Sequence, residues 1–317
     1  MKYVKIIIPL CLGLFLCAFA YNQFSEEQLS QIKEEFVGAN YFYVGLSMFF
    51  GFLSNLSRGL RWQLLLSPLG YRTKSYNRVM AVFVGYLVNV TIPRSGEISR
   101  ALVVNRYDGV PFDKAFGTII SERVVDFILL MLFTATVFII QFDLISAFLL
   151  SKIPFQKLLL LATFALVAVA VFFWWLYKSK SPIAAKISKF VVGLKEGILS
   201  IAKLKQNRNA FIAHTIFIWA MYVLMFYIPF FALEQTVGVS FATVLTAFVV
   251  GGFAITFTNG GFGSYPFFIA EILLIFGIPL VIGTAFGWIV WISQFVMMLF
   301  FGTLSFILLP ILNRKKA

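Results

Sequence analysis

The chain has 317 residues, of which 61% are hydrophobic and only 12% charged, with 39 phenylalanines and a mean hydropathy of +0.92. That composition excludes an ordinary soluble domain and describes a polytopic membrane protein. A formal net charge of +13 would suit nucleic acid in a soluble protein, but in one this apolar it marks loops held at a membrane face. No nucleic-acid partner is expected.

Lys2 and Lys5 precede the apolar run "IIIPLCLGLFLCAFA", which fits either a signal peptide ending in Ala18, Phe19 and Ala20 or a first transmembrane helix. We adopt the helix. Its two cysteines, Cys11 and Cys17, fall on different faces and supply neither a disulfide nor a metal site. The single histidine, His214, reads as interfacial, and no metal or cofactor is expected.

A spanning helix needs about 20 apolar residues, and such runs are predicted near 4–21, 41–57, 118–141, 157–177, 210–232 and 280–309. Residues 22–40 form an outer loop carrying Glu26, Glu27, Glu34 and Glu35. Two apolar stretches do not fit a full span: 79–92 stops at Pro93 and charge, and 240–276 is interrupted by "TNGGFGSYP". Each is read as a re-entrant hairpin. Of the 26 Lys and Arg residues, all but Lys33, Lys152 and Lys157 then fall in segments assigned to the cytoplasm, as the positive-inside rule requires. Both termini are cytoplasmic in this arrangement.

The expected fold is therefore an all-α polytopic membrane protein with about six full spans and two re-entrant broken-helix hairpins. Helix, interrupted segment and helix occur at 41–141 and again at 210–309, starting from opposite sides, which makes them inverted-topology repeats. Residues 1–40 hold the first helix and outer loop, 142–177 an additional span and 310–317 a basic tail. In 178–209 the apolar residues recur with a helical period opposite lysines, the pattern of a helix lying on the cytoplasmic leaflet. All belong to a single membrane domain.

The first interruption reads "NVTIPRSGEISR". Pro93 ends one helix and Ser95 is a suitable N-cap for the next. The exposed helix N-terminus and Arg94 together suit an anion, and Gly96 would let a headgroup approach the backbone. Asn89 precedes the break; Glu97 is spaced to pair with both Arg94 and Arg100. Downstream, "SERVVD" places Glu122 and Asp126 on one helical face, with Arg123 three residues before Asp126. In the second interruption Asn259, Gly260, Gly261 and Gly263 permit an unwound backbone, and Ser264 is placed to start the following helix. Glu271, the one acid of that hairpin, is placed to counter Arg94 or Arg123. An ion-pair cluster with no ligand is the plainer alternative.

In these residues the chain resembles the lysylphosphatidylglycerol synthase transmembrane-region family, flippase-like integral membrane proteins. The matching pieces are "RGLRW" at 58–62, "NVTIPRSGEISR" at 89–100, "SERVVD" at 121–126 and "NGGFG" at 259–263. The resemblance implies translocation of lipids with charged, anionic or phosphate-bearing headgroups across the cell membrane, without enzymatic chemistry. Two-domain members continue into a soluble aminoacyl-transferase domain, whereas this chain stops at "NRKKA", so lipid aminoacylation is not carried over. Members commonly have a proline before the second glycine pair and a glutamate soon after it; here Asn259 and Pro266 take those places. A homodimer stays open. The alternatives are a polytopic glycosyltransferase using a polyprenyl-phosphate sugar, with a catalytic carboxylate from the glutamates of 22–40, or a non-transporting partner of a lipid-modifying enzyme.

Overall fold

The structure, a computed structural model, describes residues 4–93, 95–143 and 207–314 and single positions between 163 and 204. Contacts divide the chain into two units, residues 1–119 with 204–317, and residues 120–203. The predicted span at 157–177 and the surface helix at 178–209 lie almost wholly outside the described residues.

Among the described residues the fold is helical throughout, without strands. The helices are α1 (Val4–Tyr21), α2 (Glu26–Gly38), α3 (Tyr41–Leu66), α4 (Ser75–Thr91), α5 (Gly96–Asp108), α6 (Phe112–Ile140), α7 (Arg208–Tyr227), α8 (Phe241–Phe257), α9 (Ser264–Ile275) and α10 (Leu280–Leu312). Phe112–Ile140, Arg208–Phe231 and Leu280–Leu312 are long and apolar enough to cross a membrane. The pair α2 and α3, bent by 71°, adds a fourth candidate.

Two boundaries differ from the sequence reading. The outer loop is in fact helix α2, because Ser25 and Gln28 form a reciprocal capping box that satisfies the free amides of its first turn. The span predicted to stop at residue 57 continues to Leu66, since its arginines are buried along the helix instead of ending it. Elsewhere local chemistry acts as expected. Asn40 caps α3 by accepting from the Phe42 amide at 3.1 Å, and Gly109, at φ 72°, supplies the left-handed turn that ends α5.

Helix α3 pairs with α7 in antiparallel register. Ser47 donates to the Met225 carbonyl at 2.6 Å, Ser54 to the Ile218 carbonyl at 3.4 Å, and Ser57 meets His214 Nδ1 at 2.8 Å. His214 is thus a helix-packing contact. Along α10 the order is parallel to α3: Gly51 lies against Met297, and Phe52 against Phe301 at 4.7 Å between ring centres. Small residues make these approaches close. Gly302 packs on Phe83 and Leu87 of α4, while Gly283 and Gly287 pack on Ala270 and Pro266 of α9. One buried core joins Trp62 and Leu66 to Ala81, Ala101, Val104 and Ala115. Another joins Val44 and Phe226 to Val244, Ile269, Leu273 and Phe286.

The two broken pairs, α4 with α5 and α8 with α9, meet α10 from opposite ends. At the base of the first, Asn77 and Asn313 exchange side-chain amide bonds, Asn313 donating at 2.7 Å and Asn77 at 3.1 Å. Asp108, at the end of α5, also accepts from Asn77, at 3.0 Å. At the base of the second, Leu273 and Ile278 share one buried cluster with Ile282, near the start of α10. Their tips face the middle of α10. Leu87 reaches Gly302, the Gly260 carbonyl accepts from Trp291 Nε1 at 2.9 Å, and α4 contacts the Asn259–Gly261 turn directly.

Candidate functional site

Charge enters the interior first through α3. Arg58 and Arg61, 1% and 0% exposed, sit one helical turn apart beside the fully buried Trp62. Arg58 Nη2 donates to Tyr222 Oη at 3.0 Å, and Tyr222 Oη lies 3.4 Å from Tyr86 Oη of α4. Arg61 Nη1 donates to Thr215 Oγ1 at 2.8 Å, with its guanidinium 5.0 Å from the centre of the Phe211 ring. Each guanidinium left without such partners at the bilayer centre would cost about 2.5 to 3.5 kcal/mol even on the mildest scale. Hydroxyls and rings of α7 supply what water would otherwise give.

Arg100, on α5, is also buried, its Cζ 4.1 Å from the centre of the Trp62 ring. Trp62 Nε1 in turn donates to Thr118 Oγ1 at 2.8 Å. This chain of contacts joins α3, α5 and the first turns of α6. Arg78 belongs to the base of the first broken pair. Its Nε donates to the Gly59 carbonyl at 3.1 Å and its Nη1 to Gln63 Oε1 at 2.7 Å and Thr73 Oγ1 at 2.8 Å, and also to the Thr73 carbonyl.

At the break itself α4 ends at Thr91 and α5 begins at Gly96, as Pro93 demands. Arg94 lies outside the described residues. Ser95 occupies the cap position but its side chain donates backwards to the Ile92 carbonyl and makes no cap bond. The cap comes from Asn89, whose Oδ1 accepts from the Gly96 amide at 2.7 Å. One amide of the expected anion site is therefore already taken. Gly96 serves packing too: a Cβ there would fall 2.5 Å from Asn89 Nδ2 and collide with the Gly85 carbonyl. Glu97 is half-buried on the first turn of α5.

The second break is built from three left-handed glycines, Gly260 at φ 61°, Gly261 at 80° and Gly263 at 72°, a conformation costly for other residues. Asn259 opens this turn. Ser264 does not cap α9. Its hydroxyl donates to the Ala254 carbonyl at 2.8 Å and meets Thr258 Oγ1 at 2.6 Å, stitching the two arms together at the tip. Gly263 lies against Gly13 and Cys17 of α1. Glu271 faces a cavity beside α1.

In the second unit, the part of α6 beyond Ile119, Glu122 is fully buried and Arg123 pairs with Asp126 at 3.4 Å. Those charges lie inside a helix that begins at Phe112, not at its start. Sequence reasoning placed Arg58, Arg61 and Arg78 among loop charges, took "RGLRW", with Trp62, only as part of a family resemblance, and passed over Thr215 and Tyr222. The available signal was "RGLRW", two arginines three residues apart followed by tryptophan in an otherwise apolar run. Among the described residues no group of three or more His, Cys, Asp or Glu side chains could hold a metal ion. The arrangement offers guanidinium groups, a tyrosine pair and two backbone turns, equipment for holding a charged group in a low-dielectric setting.

No solved structure matches the chain. It is 23% identical to the UPF0104 membrane protein MJ1595 of Methanocaldococcus jannaschii over 260 residues, 74% of this chain and 75% of that protein. It is 36% identical to Glycosyltransferase AglD of Haloferax volcanii over 70 residues, 22% of this chain and 11% of that protein. The model of the lysylphosphatidylglycerol synthase transmembrane region matches residues 6–302. With the apolar helices and broken pairs described above, that match makes this multi-pass membrane protein a member of the lysylphosphatidylglycerol synthase transmembrane-region family.

Proposed function

We propose that the protein is a flippase-like transporter that moves a phospholipid, or another lipid with a phosphate-bearing headgroup, across the cell membrane. The observation that carries this reading is the approach of two broken pairs from opposite ends of α10, with their tips at its middle. Helix, broken pair and helix recur in order, and the leading helices α3 and α7 are antiparallel. Both features support inverted repeats, the arrangement in which transporters hold broken helices around a substrate near the bilayer midplane. The base of the first hairpin and the end of α10 then share the cytoplasmic side with both termini.

Buried guanidinium groups at Arg58, Arg61 and Arg100 suit a phosphate, which takes planar, forked donors well. The partners in this reading are membrane lipids with anionic or phosphate-bearing headgroups, and no covalent step is required, so the protein acts as a carrier and not as an enzyme. The test is reconstitution in liposomes with fluorescent phosphatidylglycerol, following transbilayer movement by quenching of the outer leaflet. The wild type should accelerate movement, and Arg58→Gln should slow it by about tenfold or more in protein whose helical circular dichroism is retained. Movement no faster than in protein-free liposomes would overturn the reading.

The 70-residue similarity to Glycosyltransferase AglD favours one alternative, handling of a lipid-linked sugar by the chain or by an enzyme it accompanies. The same liposomes, given a polyprenyl-phosphate sugar and an acceptor, separate the two. Sugar transfer without lipid movement would favour the alternative.

A further inference from the structure

His214 of α7 is the one histidine of the chain, and it stands against the buried arginines of α3. Its Nδ1 lies 2.8 Å from Ser57 Oγ. Arg61 follows Ser57 by one helical turn, and its Nη1 donates at 2.8 Å to Thr215 Oγ1, on the residue next to His214. Two neighbouring rungs of the contact between α3 and α7 thus hold an imidazole and a guanidinium side by side, and the charge of Arg61 acts on the ring. His214 is partly exposed, and its Nε2 makes no hydrogen bond among the described residues. That nitrogen is open to exchange a proton with water.

The partner of Nδ1 suits either charge state, because a serine hydroxyl both donates and accepts. Against the neutral ring Ser57 donates to Nδ1. Against the protonated ring it accepts from Nδ1–H, and its own hydrogen can turn to the carbonyl one turn back in α3, as helical serines do. Packing of α3 on α7 survives the exchange, and what changes is the charge. Imidazole is the side chain suited to such a change near neutral pH.

The charged residues of the elements packed here are Arg58 and Arg61 on α3 and Arg208 on α7 itself; α8, also packed on α7, has none. All three are cations. A proton on His214 adds a like charge beside Arg61, and an anion that meets both groups stabilises the pair.

We propose that His214 is a proton-linked member of the phosphate site: a phosphate diester held by the arginines of α3 is taken up together with a proton on the imidazole. The proposal rests on the phosphate site of the transport reading and names how that site is regulated. Linkage is reciprocal, so the proton raises affinity for the phosphate by the same factor as the phosphate raises affinity for the proton.

The test uses the full chain, isotope-labelled at histidine nitrogen, in maltoside micelles that bring no phosphate; one histidine gives one titration curve by magnetic resonance. The probes are glycerophosphoglycerol, a free phosphate diester, and dihexanoylphosphatidylglycerol, the same group on a short lipid, with uncharged dihexanoylglycerol as control. A diester at saturation should raise the His214 midpoint by about one pH unit, a tenfold gain in proton affinity, and the uncharged lipid should leave it in place. A shift with both diesters supports a site for phosphate as such, and a shift with the lipid alone supports one for headgroups that arrive on chains. The diester should also bind about tenfold more tightly at about pH 5 than at about pH 8, a difference lost in His214→Gln, whose amide can still meet Ser57. A midpoint that neither diester moves in the parent overturns the proposal without recourse to any variant, and so does a pH-dependent affinity that survives in His214→Gln. A fixed midpoint in a chain that still accelerates lipid movement sinks the proposal and spares the transport reading; a shifted midpoint without movement does the reverse.

Discussion

Arg100 lies over the ring of Trp62, guanidinium carbon to ring centre 4.1 Å, so that the second arm of the first broken helix rests on a residue of α3. The indole is held at its edge by the bond from Nε1 to Thr118. Trp62 is therefore a bearing between three helices, and its ring and its N–H contribute separately. Trp62→Phe keeps a ring beneath the guanidinium and deletes one hydrogen bond, with an expected loss of about 1 kcal/mol. Trp62→Ala also opens a cavity, with an expected loss of about 3 to 5 kcal/mol. Unfolding midpoints in detergent check this, and equal losses in the two variants would refute the separation.

Arg78 binds α4 to α3 and to the link between them through one forked group. Lysine preserves the charge but cannot reach Gly59, Gln63 and Thr73 together. Arg78→Lys should destabilise by about 1.5 to 3 kcal/mol, the scale of a bond from a charged donor. Hydrogen exchange should rise first in residues 67–75. A variant as stable as the parent, with that link still protected, would show that the fork is dispensable.

The second turn separates backbone strain from crowding. Alanine at Gly260 meets only the left-handed conformation, because no atom lies within 4 Å of its would-be Cβ. The expected cost is about 1 to 2 kcal/mol. Alanine at Gly263 adds a collision with Gly13 and Cys17 of α1, and overpacking contributes about 1 to 3 kcal/mol more. Melting temperatures should fall in the order parent, Gly260→Ala, Gly263→Ala; the opposite order would mean that α1 does not seat against this turn.

At the first turn, Gly96→Ala forces Asn89 aside and pushes α5 off Gly85, so about 1 to 3 kcal/mol of stability should be lost and, under the proposed transport function, lipid movement with it. Shortening Asn89 to alanine in the same chain relieves only the side-chain part of the clash. The double variant should recover part of the melting temperature and none of the lost cap. Strict additivity of the two changes in a double-mutant cycle would show that the two residues do not act together.

Most of the helical layout was legible in the sequence. Apolar run lengths placed α7 and α10 within a few residues at each end, Pro93 ended α4 where a missing donor and a restricted neighbour demand it, and three glycines marked the second turn. What escaped was decided by partners distant in sequence. Arg58 and Arg61 looked like the end of a span because charge normally meets water there. Tyr222 and Thr215, more than 150 positions away, let them stay inside a helix running to Leu66. The cap of α5 likewise escaped, because the polar side chain next to the break, Ser95, turns back while Asn89 reaches across it. Hydropathy also said nothing of α2, whose helix rests on a local capping box.

The amide exchange between Asn77 and Asn313 spans 236 positions of chain, and it has a consequence for biosynthesis. Synthesis runs from the N-terminus, so the base of the first broken pair emerges long before the residue that clasps it. Until α10 has been made and laid alongside α4, Asn77 has no Asn313 to bind, and Phe83 and Leu87 have no Gly302 to receive them. The segment bearing "NVTIPRSGEISR" is thus among the earliest to leave the ribosome and the last to be sealed, and truncation anywhere before Asn313 leaves its door unlatched.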